Sequence, residues 1–428
     1  MIVPSIDLMD GHAVQLVGGR EKALDAGDPG PIAERFGRAG EIAVIDLDAA
    51  LGQGSNAGVI HELLRLAPCR VGGGIRDADT ARDWLDAGAA KVILGTRAVP
   101  EVLRELPRER VIAALDAEHG EIVVEGWRRK TGESIEDRIA ELRGLVGGFL
   151  VTFVEREGRL EGSDHERAAA LVKQAGEARL TIAGGVTTAD EIAALDRNGA
   201  DAQVGMALYT GKLDLGAAIA APLISDRADG LWPTVAVDEH GIALGLAWSD
   251  LESLSKAVDT GRGVYHSRSR GLWVKGETSG ATQELLRIEA DCDRDALRFT
   301  VRQNDPGFCH LETRSCWGED AGLAALARKL ATRLKDSPEG SYTRRLLDDP
   351  ELLRAKLAEE AGELAAAEGR DAVAHEAADV LYFTLVALAR AGVPLSDVTA
   401  ELDRRALKLT RRPGDANTKE RYRPDPSS

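Results

Sequence analysis

The sequence predicts a multidomain chain: a (β/α)8 TIM barrel with an internal half-barrel repeat, then a small α+β metal-binding domain, then an all-α helical bundle. Three observations predict it. Short apolar runs alternate with helix-period segments eight times over about the first 220 residues, which is the barrel pattern. Matching segments recur about 110 residues apart within that stretch. Three of the four cysteines fall between Cys292 and Cys316, interleaved with carboxylates, and the chain beyond Cys316 is patterned only for helices. The expected domains are 1–222, 223–318 and 319–428, each of ordinary size.

Composition narrows the function classes. The chain has 428 residues and a net charge of -17, so it lacks the basic surface that nucleic acid requires, although local arginines and backbone amides can still hold small anions. Four cysteines, three of them clustered, do not make a disulfide framework. The opening MIVPSIDL has neither the basic flank nor the long apolar core of a signal peptide. A reducing cytoplasm is expected. The longest apolar run, 381–389, falls short of the roughly 20 residues that cross a bilayer, so no membrane segment is expected.

The barrel strands are expected at 2–8, 42–47, 69–71, 91–94, 111–116, 149–152, 180–183 and 202–205. A doubly wound open sheet competes with this reading, and the repeat decides against it. Ser5 to Gly11 matches Ala114 to Gly120, which superposes Asp7 on Asp116; Gly73-Gly74-Ile75-Arg76 matches Gly184-Gly185-Val186-Thr187. Barrel active sites lie at the C-terminal ends of strands, so Asp7 and Asp116 face each other as candidate base and acid. Either aspartate alone would more often cap a turn; the paired placement favours catalysis. The glycines after strands three, four, seven and eight (Gly74, with Arg76; Gly95 beside Thr96; Gly185; Gly205) let amides approach phosphate, and their doubling implies a substrate with a phosphate at each end. Tight turning is the plainer explanation.

These residues resemble the phosphoribosylformimino-aminoimidazole carboxamide ribotide isomerase family of histidine biosynthesis. The resemblance implies that Asp7 is the base and Asp116 the acid of an Amadori rearrangement, with Thr152 and Trp127 also matching. Glu157 stands where that family usually has aspartate, and 18–28 reads as a short loop.

In the second domain, 235–248 reads as two strands about a turn at Asp238 to Gly241, followed by a helix over 251–259. Arg268, Arg270 and Lys275 concentrate positive charge that suits a phosphorylated nucleotide. Asp291, Asp293 and Asp295 alternate as if along a strand, which would set all three on one face and Cys292 on the other. Such a row suits magnesium, whereas Cys292, Cys309 and Cys316 suit zinc with an open fourth position and a water acidified to a pKa of about 7. His310 is a candidate proton shuttle. A charged edge strand is the alternative for the carboxylates. The motifs Ser267 to Arg270, Lys275 to Gly280, Asp291 to Asp295, Cys309-His310 and Ser315-Cys316 resemble phosphoribosyl-AMP cyclohydrolase. That family binds zinc through its cysteines, often across a dimer, and magnesium through its aspartates, and opens the adenine ring.

The third domain is expected as helices over 322–335, 351–368 and 371–390 and one after Pro394, with a turn at 336–340. Glu359, Glu360 and Glu363 on one helix repel one another, and Glu376 and Asp379 lead into an apolar run, so a cation is the favoured reading over a solvated acidic face. This pattern, with Ser341-Tyr342-Thr343, resembles phosphoribosyl-ATP pyrophosphohydrolase. It implies magnesium at those five carboxylates and a homodimer or higher oligomer, since a short bundle completes its core by association. Three consecutive steps on phosphoribosyl nucleotides are thus expected, in reverse chain order. Left open are an inactive barrel scaffold, a general nucleoside triphosphate pyrophosphohydrolase, and a further tryptophan-pathway isomerase activity of the barrel.

Overall fold

The computed structural model describes residues 1–410 except 20, 125, 128, 161, 319, 337 and 339. Eight parallel strands close a barrel: Ile2–Met9, Ile42–Asp46, Cys69–Gly72, Lys91–Leu94, Val111–Glu118, Gly148–Phe153, Arg179–Ala183 and Ala200–Val204. Closure is visible at the first strand, which pairs Ile2 with Ala202 of the eighth and Ser5 with Ala43 of the second. Its interior is filled by Ile45, Ile93, Ile112, Ala114, Leu150 and Ala183, so the barrel is a packed core and only its mouth is open to chemistry.

Each half of the barrel carries an antiparallel hairpin that the sequence pattern does not reveal. Strands His12–Val17 and Glu21–Gly27 follow the first barrel strand, and Glu121–Val124 and Arg129–Ser134 follow the fifth. Stretch 18–28, expected as a short loop, is therefore largely strand. The turns into the two hairpins are equivalent: Asp10-Gly11 has φ +52° and +79°, His119-Gly120 +51° and +89°. Two successive positive φ values make the tight primed turn whose twist suits a hairpin, and glycine supplies the second at no steric cost. The repeat thus includes the appendages as well as the strands.

The second domain is a six-stranded sheet in the order Gly271–Val274, Val264–Ser267, Ala243–Ser249, Trp232–Val237, Leu297–Gln303, Gln283–Ala290. Helix Leu251–Thr260 packs on it, begun by Asp250, whose carboxylate accepts from the Ser253 amide at 2.8 Å. One correction concerns 291–296. These residues form the turn between the last two strands, with Arg294 at φ +67°, and do not alternate along a strand. Three carboxylates in that turn resist a flat ladder, and a turn lets them converge on one side.

Barrel and sheet domain share one hydrophobic cluster that runs from Phe149 and Leu85 through Leu254, Tyr265 and Phe299. The seam is the barrel's last helix, Leu215–Ala220, against Leu251–Thr260, where the Ser255 hydroxyl donates to Asp214 at 2.5 Å. The Arg38 guanidinium reaches the Val258 carbonyl at 2.5 Å.

The third domain contains helices Gly322–Asp336, Tyr342–Asp348, Pro350–Ala366, Arg370–Ala391 and Leu395–Ala406. The second of these shows in the sequence only as a motif; it starts at the Ser341 cap. A small core of Leu330, Leu346, Leu347, Leu353, Phe383, Leu385, Val386 and Ala389 holds the bundle. Helix Arg370–Ala391, at 22 residues and mean hydropathy 1.4, is long and apolar enough to cross a membrane by length and composition. It instead supplies half of that core and carries Asp371, Glu376 and Asp379.

A Cβ on Gly216 would lie 2.4 Å from the Ser255 Cα. Gly216→Ala is expected to separate the seam at a cost of about 1–3 kcal/mol. Calorimetry should then show the joint unfolding of barrel and sheet domain at a lower temperature or split in two; an unchanged transition would show that the domains are not coupled there.

Candidate active sites

At the barrel mouth the structure brings Asp7 and Asp116 together with a third carboxyl, Glu157, which lies just after the sixth strand. Burial pushes the Asp7 carboxyl up to about 7. Burial also raises Asp116, opposed by hydrogen bonds from the Trp127 indole, 2.9 Å from its Oδ2, and from Thr152. Glu157 is pushed up to about 8, first by burial and then by the charges of Asp7 and Asp116. Like charges held in a poorly solvated space cannot all ionise, so the mouth keeps protons at neutral pH and can both take and give one. Sequence singles out Glu157 only as a departure from a family pattern; its proximity to both aspartates is invisible until the loop after strand six is placed.

The paired glycines are required by their own packing. Gly73, Gly74, Gly184 and Gly185 all have positive φ, and a Cβ on Gly73 would lie 2.2 Å from the Asp46 carbonyl oxygen, one on Gly185 2.4 Å from that of Gly162. Turn geometry thus accounts for glycine there, and the same bared backbone borders a cavity of about 40 Å³ lined by Ser5, Glu157, Gly184, Gly185 and Gly205. At the equivalent place in the first half Thr96 is exposed, and Arg76 is exposed with one weak bond, 3.4 Å, to the Ala49 carbonyl. Both are free to meet an anion.

In the sheet domain, Arg268 and Arg270 border an open cavity of about 560 Å³ together with Trp248, His266 and Trp273. Their guanidiniums lie over the indoles of Trp248 and Trp273, each 5.5 Å from the ring centre. Flat cations over aromatic faces suit a purine nucleotide with its phosphate. Lys275 does not join them. It is 5% exposed, and its ammonium donates inward to the Ala281 and Gly307 carbonyls at 3.1 and 3.4 Å. It ties the loop that carries the cysteines.

Cys309 and Cys316 are neighbours. Hydrogen bonds from the Leu311 amide and the Thr313 side chain lower the Cys309 thiol, whereas burial and the neighbouring Cys309 raise Cys316. His310 Nδ1 is 3.9 Å from the Cys309 sulfur. Cys292 is exposed, with the Asp293 carboxylate as its contact at 3.8 Å, and among the described residues it does not group with the other two thiols within one chain. Asp291, Asp293 and Asp295 do converge, each offering an oxygen within 4.8 Å of the others. Asp295 is raised by Asp293, then by burial and by Asp291, the mark of repulsion that a cation would relieve.

In the helical bundle Glu360, Glu363 and Glu376 converge in the same way. Burial, then the charges of Glu360 and Glu376, raise Glu363. Glu359 instead pairs with Lys356 at 2.9 Å, a lysine that also reaches Glu360 at 2.7 Å. Asp379 faces His375 at 3.7 Å, outside the group. Two of the five expected carboxylates therefore stand beside the cluster. Lys356, four residues before Glu360, is the partner that the sequence reading lacks, and helical spacing alone could have found it.

A doubled barrel with a carboxyl trio at its mouth, a sheet domain with paired thiols and a carboxylate turn, and a carboxylate-lined bundle define a multidomain protein of enzyme type with three separate candidate centres. Comparison with known proteins agrees. Residues 1–214 match the family described as histidine biosynthesis protein, 245–318 match phosphoribosyl-AMP cyclohydrolase, and 323–406 match phosphoribosyl-ATP pyrophosphohydrolase. The chain belongs to the histidine biosynthesis family and joins these three units in one polypeptide.

Relatives point the same way. A histidine biosynthesis trifunctional protein of Saccharomyces bayanus is 53% identical over 203 residues, 47% of this chain and 25% of the relative. A histidine biosynthesis bifunctional protein of Schizosaccharomyces pombe is 50% identical over 205 residues, 48% of this chain and 49% of the relative. A phosphoribosyl imidazole-4-carboxamide isomerase of Myxococcus xanthus is 40% identical over 229 residues, 50% of this chain and 96% of the relative. The chain spans 25% and 49% of the first two relatives' lengths.

The ordinary value for Glu157 is 4.5 and its folded value about 8, so the native state keeps a proton that the unfolded chain releases. That contribution is complete below about 4.5 and is lost as pH rises through about 8. Glu157→Gln should remove the loss: relative to the variant, the natural chain should weaken by on the order of 3 kcal/mol between pH 5 and 8. Parallel denaturant titrations across that range would contradict this.

Proposed function

We propose that this chain performs three consecutive steps on phosphoribosyl nucleotides, in domains bounded at 1–222, 223–318 and 319–428. The helical domain hydrolyses phosphoribosyl-ATP to phosphoribosyl-AMP and pyrophosphate, the sheet domain opens the adenine ring, and the barrel converts the aminoaldose to the aminoketose. The observation that carries the reading is the barrel trio. Two repeat-equivalent aspartates and a third carboxyl share one buried mouth with raised affinities for protons, as an acid-base isomerisation requires. Cys292 and Cys316, thiols open to solvent, suit a reducing cytoplasm.

In the barrel, Asp7 is the base: at about 7 it is partly ionised at neutral pH and accepts the proton lost from the sugar carbon. Asp116 is the acid, its carboxyl aimed by Trp127 and Thr152. Glu157, protonated below about 8, leaves Asp7 and Asp116 less repelled than three anions would be. The glycine turns, with Arg76 and Thr96 at one end and Gly185 and Gly205 at the other, hold the two phosphates.

In the sheet domain the donors fit their metals. Cys309 and Cys316 would hold zinc, with Cys292 supplied by a second copy of the chain; the exposure of Leu311 at 71% and Trp317 at 61% beside the thiols supports such a contact. Bound zinc makes water acidic enough to supply hydroxide. Asp291, Asp293 and Asp295 would hold magnesium, Arg268 and Arg270 bind the phosphoribosyl end, and His310 moves the proton. In the bundle, Glu360, Glu363 and Glu376 would hold magnesium beside the triphosphate, with Glu359 and Asp379 as flanking carboxylates. Homodimers or larger homo-oligomers complete both later domains.

Purified protein given phosphoribosyl-ATP, magnesium and zinc should release pyrophosphate and accumulate the aminoketose; accumulation of either intermediate instead would sink the three-step reading. The isomerisation rate should fall as pH drops through about 7, where Asp7 takes up its proton. A pH-rate profile flat down to pH 5 would remove Asp7 from the role of base.

A further inference from the structure

The turn that carries Asp291, Asp293 and Asp295 is fastened to the barrel through the one cation inside it. Arg294 has φ +67°, a conformation in which glycine is favoured and any other side chain costs on the order of 1 kcal/mol. Its guanidinium pairs with Asp196, at the end of barrel helix Ala189–Arg197, whose side chain is 2% exposed. Asp196 also accepts from the Met1 amine at 2.9 Å, which in turn reaches Asp201, held by Arg179 at 2.9 and 2.7 Å. The Arg294 carbonyl accepts from the Ile224 amide in the segment joining the domains, at 2.9 Å. Farther along the same hairpin, the Ile288 amide donates to the Arg38 carbonyl of the barrel at 2.8 Å.

We infer that Arg294 is a positioning residue for the carboxylate turn, and that the N-terminal face of the barrel, remote from its own mouth, is the foundation of the cation site in the neighbouring domain. The inference rests on the reading of Asp291, Asp293 and Asp295 as a magnesium site. Buried Asp196 sits between two cations, the Met1 amine on one carboxylate oxygen and Arg294 on the other, so the pair is held on the barrel side. On the turn side, Arg294 lies between Asp293 and Asp295, and the fold of the turn is closed by Asp291, whose Oδ1 accepts from the Asp295 and Ala296 amides at 3.1 and 3.2 Å. With both its backbone carbonyl and its guanidinium fixed to barrel and linker, residue 294 sets where three mutually repelling carboxylates point. A glycine would satisfy the backbone more cheaply, so the arginine is explained by its side chain.

The test uses the full chain with Glu360→Gln and Glu363→Gln in place, to silence the helical cluster, and manganese as the probe. Arg294→Gly keeps the left-handed backbone and removes the anchor; Asp196→Asn removes the buried partner; Asp293→Asn removes a proposed ligand. Manganese titrations followed by electron paramagnetic resonance should show affinity weakened about tenfold in Arg294→Gly and Asp196→Asn, as expected for a residue behind a ligand. In metal-free protein, hydrogen exchange at the Asp295 and Ala296 amides should quicken by a similar factor. If exchange and affinity in both anchor variants match the parent while Asp293→Asn binds weakly, the anchoring is overturned and the site stands. If Asp293→Asn binds manganese like the parent, the magnesium reading fails, and the proposed foundation for that site fails with it.

Discussion

A carboxylate taken out of water must be protonated, paired with a cation or bound to a metal, and this structure depends on which of the three each one receives. At the barrel mouth the answer is the proton: Asp7, Asp116 and Glu157 face one another with no basic side chain among the causes of their shifts. At the opposite face it is the ion pair, with Asp201 held down to about 2 by Arg179 and the Met1 amine despite burial. In the turn at 291–295 and between the long helices, carboxylates converge without enough cations, the arrangement that suits a metal. The same side chain thus keeps a proton, joins an ion pair or enters a cluster suited to a cation according to its surroundings.

The doubled barrel supplies the first of these environments by symmetry. Equivalent strands deliver Asp7 and Asp116 to opposite sides of the mouth, and equivalent primed turns start the two hairpins beyond them. One hairpin tip comes back across the site, where a Cβ on Gly19 would lie 2.4 Å from the Trp127 ring, the same indole that donates to Asp116. The sheet domain is built onto the barrel's flank through a shared apolar core and a row of polar contacts, whereas the helical bundle keeps a small core of its own.

Periodicity and repetition make much of this legible. All eight barrel strands, the pair around Asp238 to Gly241, and four of the five helices among the described residues of the third domain stand where their apolar patterns put them. The fifth helix, Tyr342–Asp348, is only two turns long and too short to show a period. The hairpins escape a reading of the sequence although Asp10-Gly11 is a turn signal, because the strand Glu21–Gly27 is mostly exposed and has no apolar alternation to announce it. Stretch 291–296 mimics alternation in sequence, but charge repulsion and a left-handed Arg294 turn it into a bend. Side-chain direction is harder still. Nothing local to Lys275 shows that its ammonium points inward, and nothing in the spacing of the cysteines shows that Cys292 stands apart from the other two.

The central claim is that three centres in one chain act in series, the sheet domain on the product of the helical domain and the barrel on the product of the sheet domain. The most direct measurement is the identity of the compound that accumulates when one centre at a time is disabled and phosphoribosyl-ATP is supplied. Glu363→Gln should leave phosphoribosyl-ATP unconsumed, Cys309→Ser should stop at phosphoribosyl-AMP, and Asp7→Asn should stop at the ring-opened aminoaldose. The same accumulating compound in all three variants, or an aminoketose yield that Asp7→Asn does not change, would contradict it.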